Sequence, residues 1–421
     1  MPNNNLMPLD LYKFVSIGDS ITAGYTDGAL FYEGQQHAFS NLMAQQFKTV
    51  GGGDFNQPLI KPNSVGVGFY GNARLALKNK TDASANNNDA PEYIAKQGDF
   101  SIFVENVFEQ QGPFQNMSVP SAKLTSLVIP GVGNPKNGVG NYNPFFTRMA
   151  SNMESASILS DTLALEPTFF TLFIGNNDVL TYGSSGGTMD MITPFEGGVG
   201  VGFNETLKAV VNALTEKGAK GAISNLGDIT SVPYFTAIPY DGLVLNKVEA
   251  EELTILYSEV GLKFNEGRNP FVISDSSANS KGIRQINKGE LIILEIQLNP
   301  NKNQYLKAEA PIPKNYVLTI SEISKITKAL ASYNIAIKQI AIEKQLAFID
   351  INSFTTTLKT EITYDEVNRC AIYHDNRIFS LDGLHLNAYG QSLLANLFIK
   401  EINNTYDSSI PFATEINHTN L

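Results

Sequence analysis

Three short stretches of the sequence contain residue types that together could cleave an acyl bond. They are GDS at 18–20, GNND at 175–178 and DGLH at 382–385. A serine hydroxyl is a weak nucleophile until a base takes its proton, and an imidazole can do this near neutral pH. A carboxylate fixes the tautomer of that imidazole, while amide side chains and backbone N–H groups can stabilise an oxyanion. This set of groups indicates nucleophilic catalysis by a serine.

Each of these groups also has a purely structural interpretation. A serine that follows a strand is commonly a helix N-cap, and Asn and Asp are common turn residues. The combination of the three stretches, rather than any one of them, favours chemistry. Among the other histidines, the adjacent residues His374 and Asp375 are the rival to Asp382 and His385 as the source of a base.

The elements that position these groups follow from the hydrophobic pattern. Residues 13–17 and 168–174 are apolar runs typical of buried strands, and Ser20 and Asn177 come just after them. In a doubly wound parallel sheet, functional groups gather beyond the carboxyl ends of the strands. We therefore expect these two residues at one edge of a sheet, joined there by the loop at 382–385.

The rest of the core shows the same alternation of strands and helices. Further strands are expected at 221–226 and 346–351, and 204–218 is an amphipathic helix with Asn204 as its N-cap. Another helix begins at Thr319 with a capping box and runs to about residue 345. The sequence predicts an α/β protein, a three-layer α/β/α sandwich whose four strands lie side by side and parallel.

Two segments interrupt this alternation. Residues 51–113 are rich in Gly, Asn and Pro and read as an irregular insertion, with a short helix near 72–79. Residues 227–318 read as an inserted subdomain, which begins at the carboxyl end of a predicted strand and should therefore stand near the cleft. The α/β core that carries the three stretches is then expected at 10–226 and 319–405.

Within the second segment, a helix is expected near 246–258 and strands at 271–274 and 290–298.

Composition excludes several classes of protein. The net charge of −11, with scattered Lys and Arg, disfavours nucleic acid as a partner. No apolar run approaches the ~20 residues that a transmembrane helix needs. The single cysteine, Cys370, excludes an internal disulfide, and with four histidines the chain is poorly suited to a structural zinc site. We expect no metal and no organic cofactor. The oligomeric state is not predicted.

The first residues, MPNNNLMPLDLYK, lack the basic and apolar segments of a signal peptide. They are read either as the true start of the protein or as a linker that remains after removal of a leader. The location of the protein therefore stays open between an unexported protein and a periplasmic, secreted or lipid-anchored one.

The three stretches resemble the conserved blocks of the SGNH hydrolases, also called GDSL esterases and lipases, in the order that this family has. Wider patterns of the chain also resemble a bacterial branch of this family with large insertions. The resemblance implies that Ser20 is the nucleophile, His385 the base and Asp382 its orienting partner. It also implies an oxyanion hole made by the backbone N–H of Ser20, the side chain of Asn177 and a second-block residue.

The second block of the family places a glycine N–H in the oxyanion hole. Its best match here is NMSVPSAK at 116–123, in which the glycine position is occupied by Ser121. A serine keeps the N–H, provided that the backbone can adopt the required conformation.

The resemblance implies hydrolysis of a small-molecule or glycan carboxylic ester through an acyl-enzyme. Because no exposed apolar lid helix is evident, we expect a short acyl group, such as acetyl on a carbohydrate. The alternative is a catalytically weak or silent relative that binds an acyl or sugar ligand, and Ser121 is the feature that favours it.

Overall fold

The computed structural model of the protein describes residues 9–77, 91–189, 192–357, 362–364, 371–373 and 377–415. Cys370 and the rival histidine, His374, lie outside these ranges.

The strands of the described residues are mostly short. In chain order they are β1 Phe14–Gly18, β2 Leu75–Ala76, β3 Glu92–Tyr93, β4 Phe169–Phe173, β5 Lys220–Ser224, β6 Leu243–Leu245, β7 Gly267–Asn269, β8 Val272–Ser274, β9 Ile283–Gln285, β10 Leu291–Ile292, β11 Val317–Leu318, β12 Ala347–Ile349, β13 Ile362–Tyr364 and β14 Ala371–Tyr373.

The helices range from single turns to a helix of more than six turns. In chain order they are α1 Ser20–Ala23, α2 Tyr32–Gln36, α3 Phe39–Thr49, α4 Ser101–Val104, α5 Phe108–Gln111, α6 Pro144–Met149, α7 Ile158–Ala164, α8 Asn177–Ser184, α9 Phe203–Thr215, α10 Pro233–Thr236, α11 Lys247–Leu256, α12 Lys302–Leu306, α13 Ile320–Glu343, α14 Ile351–Thr357 and α15 Ala388–Tyr406.

A parallel sheet in the order β1-β4-β5-β12 forms the centre of the fold. These are the four strands predicted from the sequence, so the α/β class and the side-by-side arrangement are confirmed. Every residue of β1 and β4 is buried, as expected for a sheet covered on both faces. Gly18 pairs with Phe173 at the last position of both strands, so the chain leaves β1 and β4 at the same edge.

Helices cover the sheet in two groups. α3 and α15 pack against each other beside β4, where the rings of Phe39 and Phe398 lie 4.9 Å apart. α9 and α13 form the other group, and Phe203 stacks on Tyr333 at a centroid distance of 3.9 Å. None of the described helices has the length and apolarity needed to cross a membrane.

Helix starts test two sequence predictions. The capping box at Thr319 is present, with Glu322 accepting from the Thr319 N–H at 2.8 Å. The prediction of Asn204 as the N-cap of α9 is wrong, because the cap is Gly202 and the helix begins at Phe203. The Phe203 ring at this start is fully buried and stacks on Tyr333.

The helix predicted near 72–79 is not formed over its described residues. Leu75 and Ala76 instead make a short antiparallel pair with β3. The Leu75 side chain is buried, and the backbone N–H of Leu75 donates to the carbonyl of Asp27 at 2.8 Å. This tertiary contact fixes the segment in an extended conformation that its local sequence does not specify.

Residues 227–318 form small antiparallel pairs around α11, namely β6 with β7, β8 with β9 and β10 with β11. The strand predicted at 290–298 is strand only over β10. It continues as a 3₁₀ helix at Leu294–Leu298, because the partner strand β11 is only two residues long. Buried apolar residues of this segment belong to the same cluster as those of the sheet. That residues 227–318 form a separate subdomain stays a prediction.

An ionic cluster holds the segment that precedes this 3₁₀ helix. The Arg284 guanidinium donates to both carboxylate oxygens of Glu290, at 2.6 and 2.8 Å, and to Asp275 at 2.6 Å. Glu290 is almost fully buried, so this bidentate pairing compensates a charge that would otherwise be costly. The cluster joins β9, which contains Arg284, to the residue before β10 and to the residue after β8.

Candidate active site

The turn after β1 presents Ser20 at the start of α1. A Cβ atom on Gly18 would lie 2.2 Å from Thr22 Oγ1 and 2.7 Å from the Phe173 carbonyl, so only glycine fits where the strand ends. Asp19 is the N-cap and accepts from the Ile21 N–H at 3.1 Å. The capping role therefore belongs to Asp19, and the hydroxyl of Ser20 is left for another partner.

Asp19 also joins the two turns at the edge of the sheet. Its second carboxylate oxygen accepts a hydrogen bond from Asn176 Nδ2 at 3.1 Å. Burial raises the pKa of Asp19 to about 6, against the opposing effects of the hydrogen bonds from Asn176 and the Ile21 N–H. This residue locks the turn after β1 to the turn after β4.

The carboxylate of Asp382 is the most heavily hydrogen-bonded group of the site. One oxygen accepts from Ser380 Oγ and from the N–H groups of Leu384 and His385, each at 2.9 Å. The other accepts from the Gly28 N–H at 2.9 Å and from His385 Nδ1 at 2.8 Å. Burial alone would raise the pKa of Asp382, but the charge of His385 and these hydrogen bonds outweigh it and lower the pKa to about 2.

His385 bridges this carboxylate and the serine. Its Nε2 lies 2.9 Å from Ser20 Oγ, while its Nδ1 contacts Asp382. Because the ionised carboxylate can only accept, Nδ1 carries a proton and Nε2 of the neutral ring is the acceptor for the serine hydroxyl. The ring of Tyr25 packs on the imidazole at a centroid distance of 4.7 Å and restricts its movement.

Asn177 is the first residue of α8, directly after the β4 turn. Its side-chain amide donates to the Ala122 carbonyl at 3.0 Å, which fixes the orientation of the amide and ties it to the 116–123 segment. An amide NH₂ group has two donors. One is used by the bond to the Ala122 carbonyl, which leaves the second for another acceptor.

Ser121 adopts a backbone φ of 61°, in the left-handed region that favours glycine. Asn143 donates to the Ser121 hydroxyl at 3.2 Å and to the Pro120 carbonyl at 2.8 Å, and so holds the turn. Among the described residues, no backbone acceptor is recorded for the Ser121 N–H. The serine thus occupies the glycine position with a glycine-like conformation.

The sequence analysis did not single out two carboxyl groups near the site, those of Asp27 and Asp178. Asp27 accepts from the Leu381 N–H at 2.9 Å, and its own N–H donates to Ser380 Oγ at 3.0 Å. Asp178 accepts from the Leu124 N–H at 2.8 Å. Burial raises the pKa of both carboxyls to about 6. Nothing in the local sequence distinguishes Asp27 from an ordinary turn residue, whereas Asp178 stands in the GNND stretch.

Two cavities meet at Asn177 and His385. The larger is a cleft of about 330 Å³ that also borders Ser121, Asp382 and the 3₁₀ helix at 294–298. The smaller, of about 70 Å³, lies beside Ser20. Its walls are mainly apolar and include Phe173, Ile229, Val232, Ile351, Phe354, Phe379 and Leu394.

The arrangement can take the proton of the Ser20 hydroxyl and offers hydrogen-bond donors near the position where a negatively charged oxygen would develop. Ser20, His385 and Asp382 form one hydrogen-bonded series, and Ser121 and Asn177 stand beside it. Within the described part of the chain, no group of three His, Cys, Asp or Glu side chains has the geometry of a metal site.

Comparisons with known proteins agree with this chemistry at the level of the family. The family model described as GDSL-like Lipase/Acylhydrolase matches residues 14–398. A search of curated proteins found no match.

Two solved structures resemble the chain weakly. The first is an α/β hydrolase enzyme from the metagenome of Lake Arreo, Spain, with 12% identity, a TM-score of 0.35 and coverage of 94% of this chain and 96% of that one. The second is an acetyl xylan esterase, with 13% identity, a TM-score of 0.31 and coverage of 92% and 99%. Likenesses this weak carry no argument about activity.

The backbone of Ser121 gives a first test. Ser121→Gly should keep kcat within about threefold, because glycine adopts the same φ and retains the N–H. Ser121→Val should lower kcat at least about tenfold, because a β-branched residue disfavours this φ and turns the N–H away. Both variants are measured on one activated ester. Equal losses in the two variants would show that the hydroxyl, and not the backbone N–H, is what matters.

The raised pKa of Asp178 predicts a pH effect on stability. The folded state binds this proton more tightly than the unfolded chain, whose pKa is near 3.8. The stability that Asp178 contributes is therefore fully present below about pH 4 and is lost as the pH rises through about 6. Asp178→Asn removes this loss, so its free energy of unfolding relative to the wild type should improve by about 2 kcal/mol between pH 4.5 and 7.5. Denaturant unfolding measures the difference, and a pH-independent offset would contradict the prediction.

Proposed function

The chain belongs to the GDSL-like lipase/acylhydrolase family, a membership that supports ester hydrolysis in general, and on this premise we propose that it cleaves carboxylic esters of short acyl groups through an acyl-enzyme on Ser20. The observation that carries the proposal is the unbroken series of hydrogen bonds from Ser20 Oγ to His385 at 2.9 Å and from His385 to Asp382 at 2.8 Å.

In the first half of the proposed reaction, Ser20 Oγ attacks the ester carbonyl carbon while its proton passes to His385 Nε2. The carbonyl oxygen becomes an oxyanion, which the N–H groups of Ser20 and Ser121 and the amide of Asn177 stabilise. Collapse of this intermediate breaks the bond to the alcohol oxygen. His385 gives its proton to the leaving alcohol, and the acyl group remains on Ser20.

In the second half, a water molecule attacks the acyl-enzyme and gives one proton to His385. The second intermediate expels Ser20 Oγ, which takes that proton back, and the free acid leaves. Asp382 stays ionised throughout, because its pKa of about 2 lies far below neutral pH, and it stabilises the imidazolium in both halves.

The small cavity beside Ser20 supports a short acyl group. Its volume is about 70 Å³, and its lining is mainly apolar. An engineered apolar cavity of ~150 Å³ accommodates benzene, so this one has room for an acyl group of about two to four carbons. An acyl chain in this cavity would leave the larger cleft to the alcohol.

The alternative function is a catalytically silent relative that binds an acyl or sugar ligand. Its support is the serine at the second-block glycine position. The positive φ of Ser121 weakens that support, because a glycine-like backbone conformation is retained together with the N–H.

Covalent labelling tests the nucleophile and separates the two functions. A fluorophosphonate probe should label the wild type on Ser20. Ser20→Ala and His385→Ala should each lower kcat on the order of 10⁴-fold or more. Asn177→Ala should cost about 10²–10³-fold and leave the fold intact, because one oxyanion donor is lost.

His374→Ala is the matched control for the base and should retain activity. Loss of turnover in His374→Ala but not in His385→Ala would show that His374, and not His385, is the base. Full activity of Ser20→Ala would overturn the acyl-enzyme, and a folded wild type without labelling or turnover would favour the silent relative.

A chain-length series tests the acyl cavity. On 4-nitrophenyl esters, the wild type should prefer acyl groups of two to four carbons. Ile229→Ala enlarges the cavity and should shift the optimum by about two carbons, since each buried methylene contributes roughly 0.8 kcal/mol. Ile340→Ala removes a buried isoleucine that lines neither cavity and should leave the profile unchanged. A wild-type optimum at eight carbons or more would contradict this assignment.

A further inference from the structure

The groups of the proposed reaction come from distant parts of the chain. Ser20 begins α1, whereas Asp382 and His385 lie on the loop before α15. The 2.9 Å contact between Ser20 Oγ and His385 Nε2 therefore depends on how this loop is held against the chain that follows β1. A displacement of about 1 Å between reacting groups can cost on the order of 10²-fold in rate. Residues that hold the loop in place thus bear on catalysis without taking part in it.

A tight turn at residues 26–29 makes the connection to the loop. The Thr26 N–H donates to the Ala29 carbonyl at 3.1 Å, and the Ala29 N–H donates to the Thr26 carbonyl at 3.0 Å. Asp27 and Gly28 form the tip, with positive φ values of 49° and 74°, as in two-residue turns of type I′. The two bonds that close the turn use neither of the tip N–H groups, so both can donate elsewhere.

Both tip residues bind the loop. The Asp27 N–H donates to Ser380 Oγ at 3.0 Å, and the Gly28 N–H donates to Asp382 Oδ2 at 2.9 Å. Ser380 Oγ in turn donates its own proton to Asp382 Oδ1 at 2.9 Å. The Asp27 carboxylate accepts from the Leu381 N–H at 2.9 Å. Three consecutive residues of the loop are thus held by the two residues at the tip of the turn.

The side chain of Asp27 is retained at a cost to the fold. Positive φ is uncommon for residues other than glycine, although Asp tolerates it better than most. Burial and the repulsion of Asp382 raise the pKa of Asp27 to about 6, and the bond from the Leu381 N–H opposes them. The charges of Arg377 and Arg74 also oppose the rise. Glycine would fit the turn without either cost, so the carboxylate is best explained by the loop that it holds.

We infer that Asp27 is a positioning residue for the carboxylate that orients the base. Its side chain holds the Leu381 N–H, and this bond keeps Asp382 in place beside the imidazole of His385. The imidazole in turn stays within hydrogen-bonding distance of Ser20 Oγ. Asp27 lines neither of the two cavities, so it acts through the loop and not on the substrate. The inference rests on the proposed function, since it requires a reaction in which His385 is the base.

The test compares two substitutions of Asp27 in the purified full chain, with 4-nitrophenyl acetate as substrate. Glycine suits the positive φ and lacks the carboxylate, so Asp27→Gly should lower kcat about 10- to 100-fold and leave KM within about threefold. Asparagine tolerates the same φ and keeps an acceptor oxygen for the Leu381 N–H, so Asp27→Asn should retain kcat within about threefold. The rate of labelling by the fluorophosphonate probe should fall in parallel with kcat, because labelling also requires the activated hydroxyl.

Asp407→Gly is the matched control. Asp407 has a φ of 50°, is exposed, and follows α15. Its neighbour Tyr406 donates to the Gly221 carbonyl near the start of β5, at the edge of the sheet opposite Ser20. The same substitution at the same backbone conformation should leave both kcat and KM unchanged. Thermal unfolding monitored by circular dichroism shows whether each variant is folded at the assay temperature.

The other outcomes separate this inference from its premise. It is overturned if folded Asp27→Gly keeps kcat within about threefold of the wild type, or if only KM rises. Equal losses in Asp27→Gly and Asp27→Asn would assign the effect to the negative charge, and an unfolded Asp27→Gly would assign Asp27 to the fold, so either would overturn it as well. In all of these cases ester hydrolysis by the wild type stands. If the wild type neither hydrolyses 4-nitrophenyl acetate nor is labelled, the proposed function fails and the inference fails with it.

Discussion

The site depends on one largely buried carboxylate, that of Asp382, whose two oxygens both accept hydrogen bonds. Asp382 accepts five hydrogen bonds, and their donors come from Gly28, Ser380, Leu384 and His385. Three of these bonds form the 380–385 loop around the carboxylate, one draws in the chain after β1, and one sets the tautomer of the imidazole. A charge at this depth is tolerable only with such compensation, so the hydrogen bonds that keep Asp382 ionised are also those that shape the loop.

The sheet provides the second constraint. Because β1 and β4 end in register, the turns that follow them leave the sheet side by side, and the bond between Asp19 and Asn176 joins them. Ser20 and Asn177 therefore stand on adjacent short connections that have little freedom to move. Preorganisation of this kind lets donors meet a developing charge without rearrangement.

The sequence allowed prediction of the elements whose signal is local. Four buried strands and the capping box of α13 follow from apolar runs and cap residues. The short stretches also contain Ser20, His385 and Asp382, whose side chains the fold brings into hydrogen-bonding contact, while their catalytic roles stay a prediction. The wrong predictions concern segments whose conformation depends on tertiary contacts. Helix α9 begins at Phe203, whose ring is fully buried, and residues predicted as helix pair instead with β3 in an extended conformation. The segment at 290–298 continues as a 3₁₀ helix where its partner strand ends. This 3₁₀ helix places Glu295 and Gln297 at the cleft.

Buried polar groups around the site fall into two kinds, and the difference bears on function. Asp382 has all its partners within the chain, so it stabilises the fold and needs no ligand. Asp178 Oδ1 and Gln297 Nε2 have no partner among the described residues, and each costs stability. Asp178 can remove much of this cost by taking up a proton, as its raised pKa indicates. A neutral amide has no such route, so the Gln297 donor stays unpaired among the described residues.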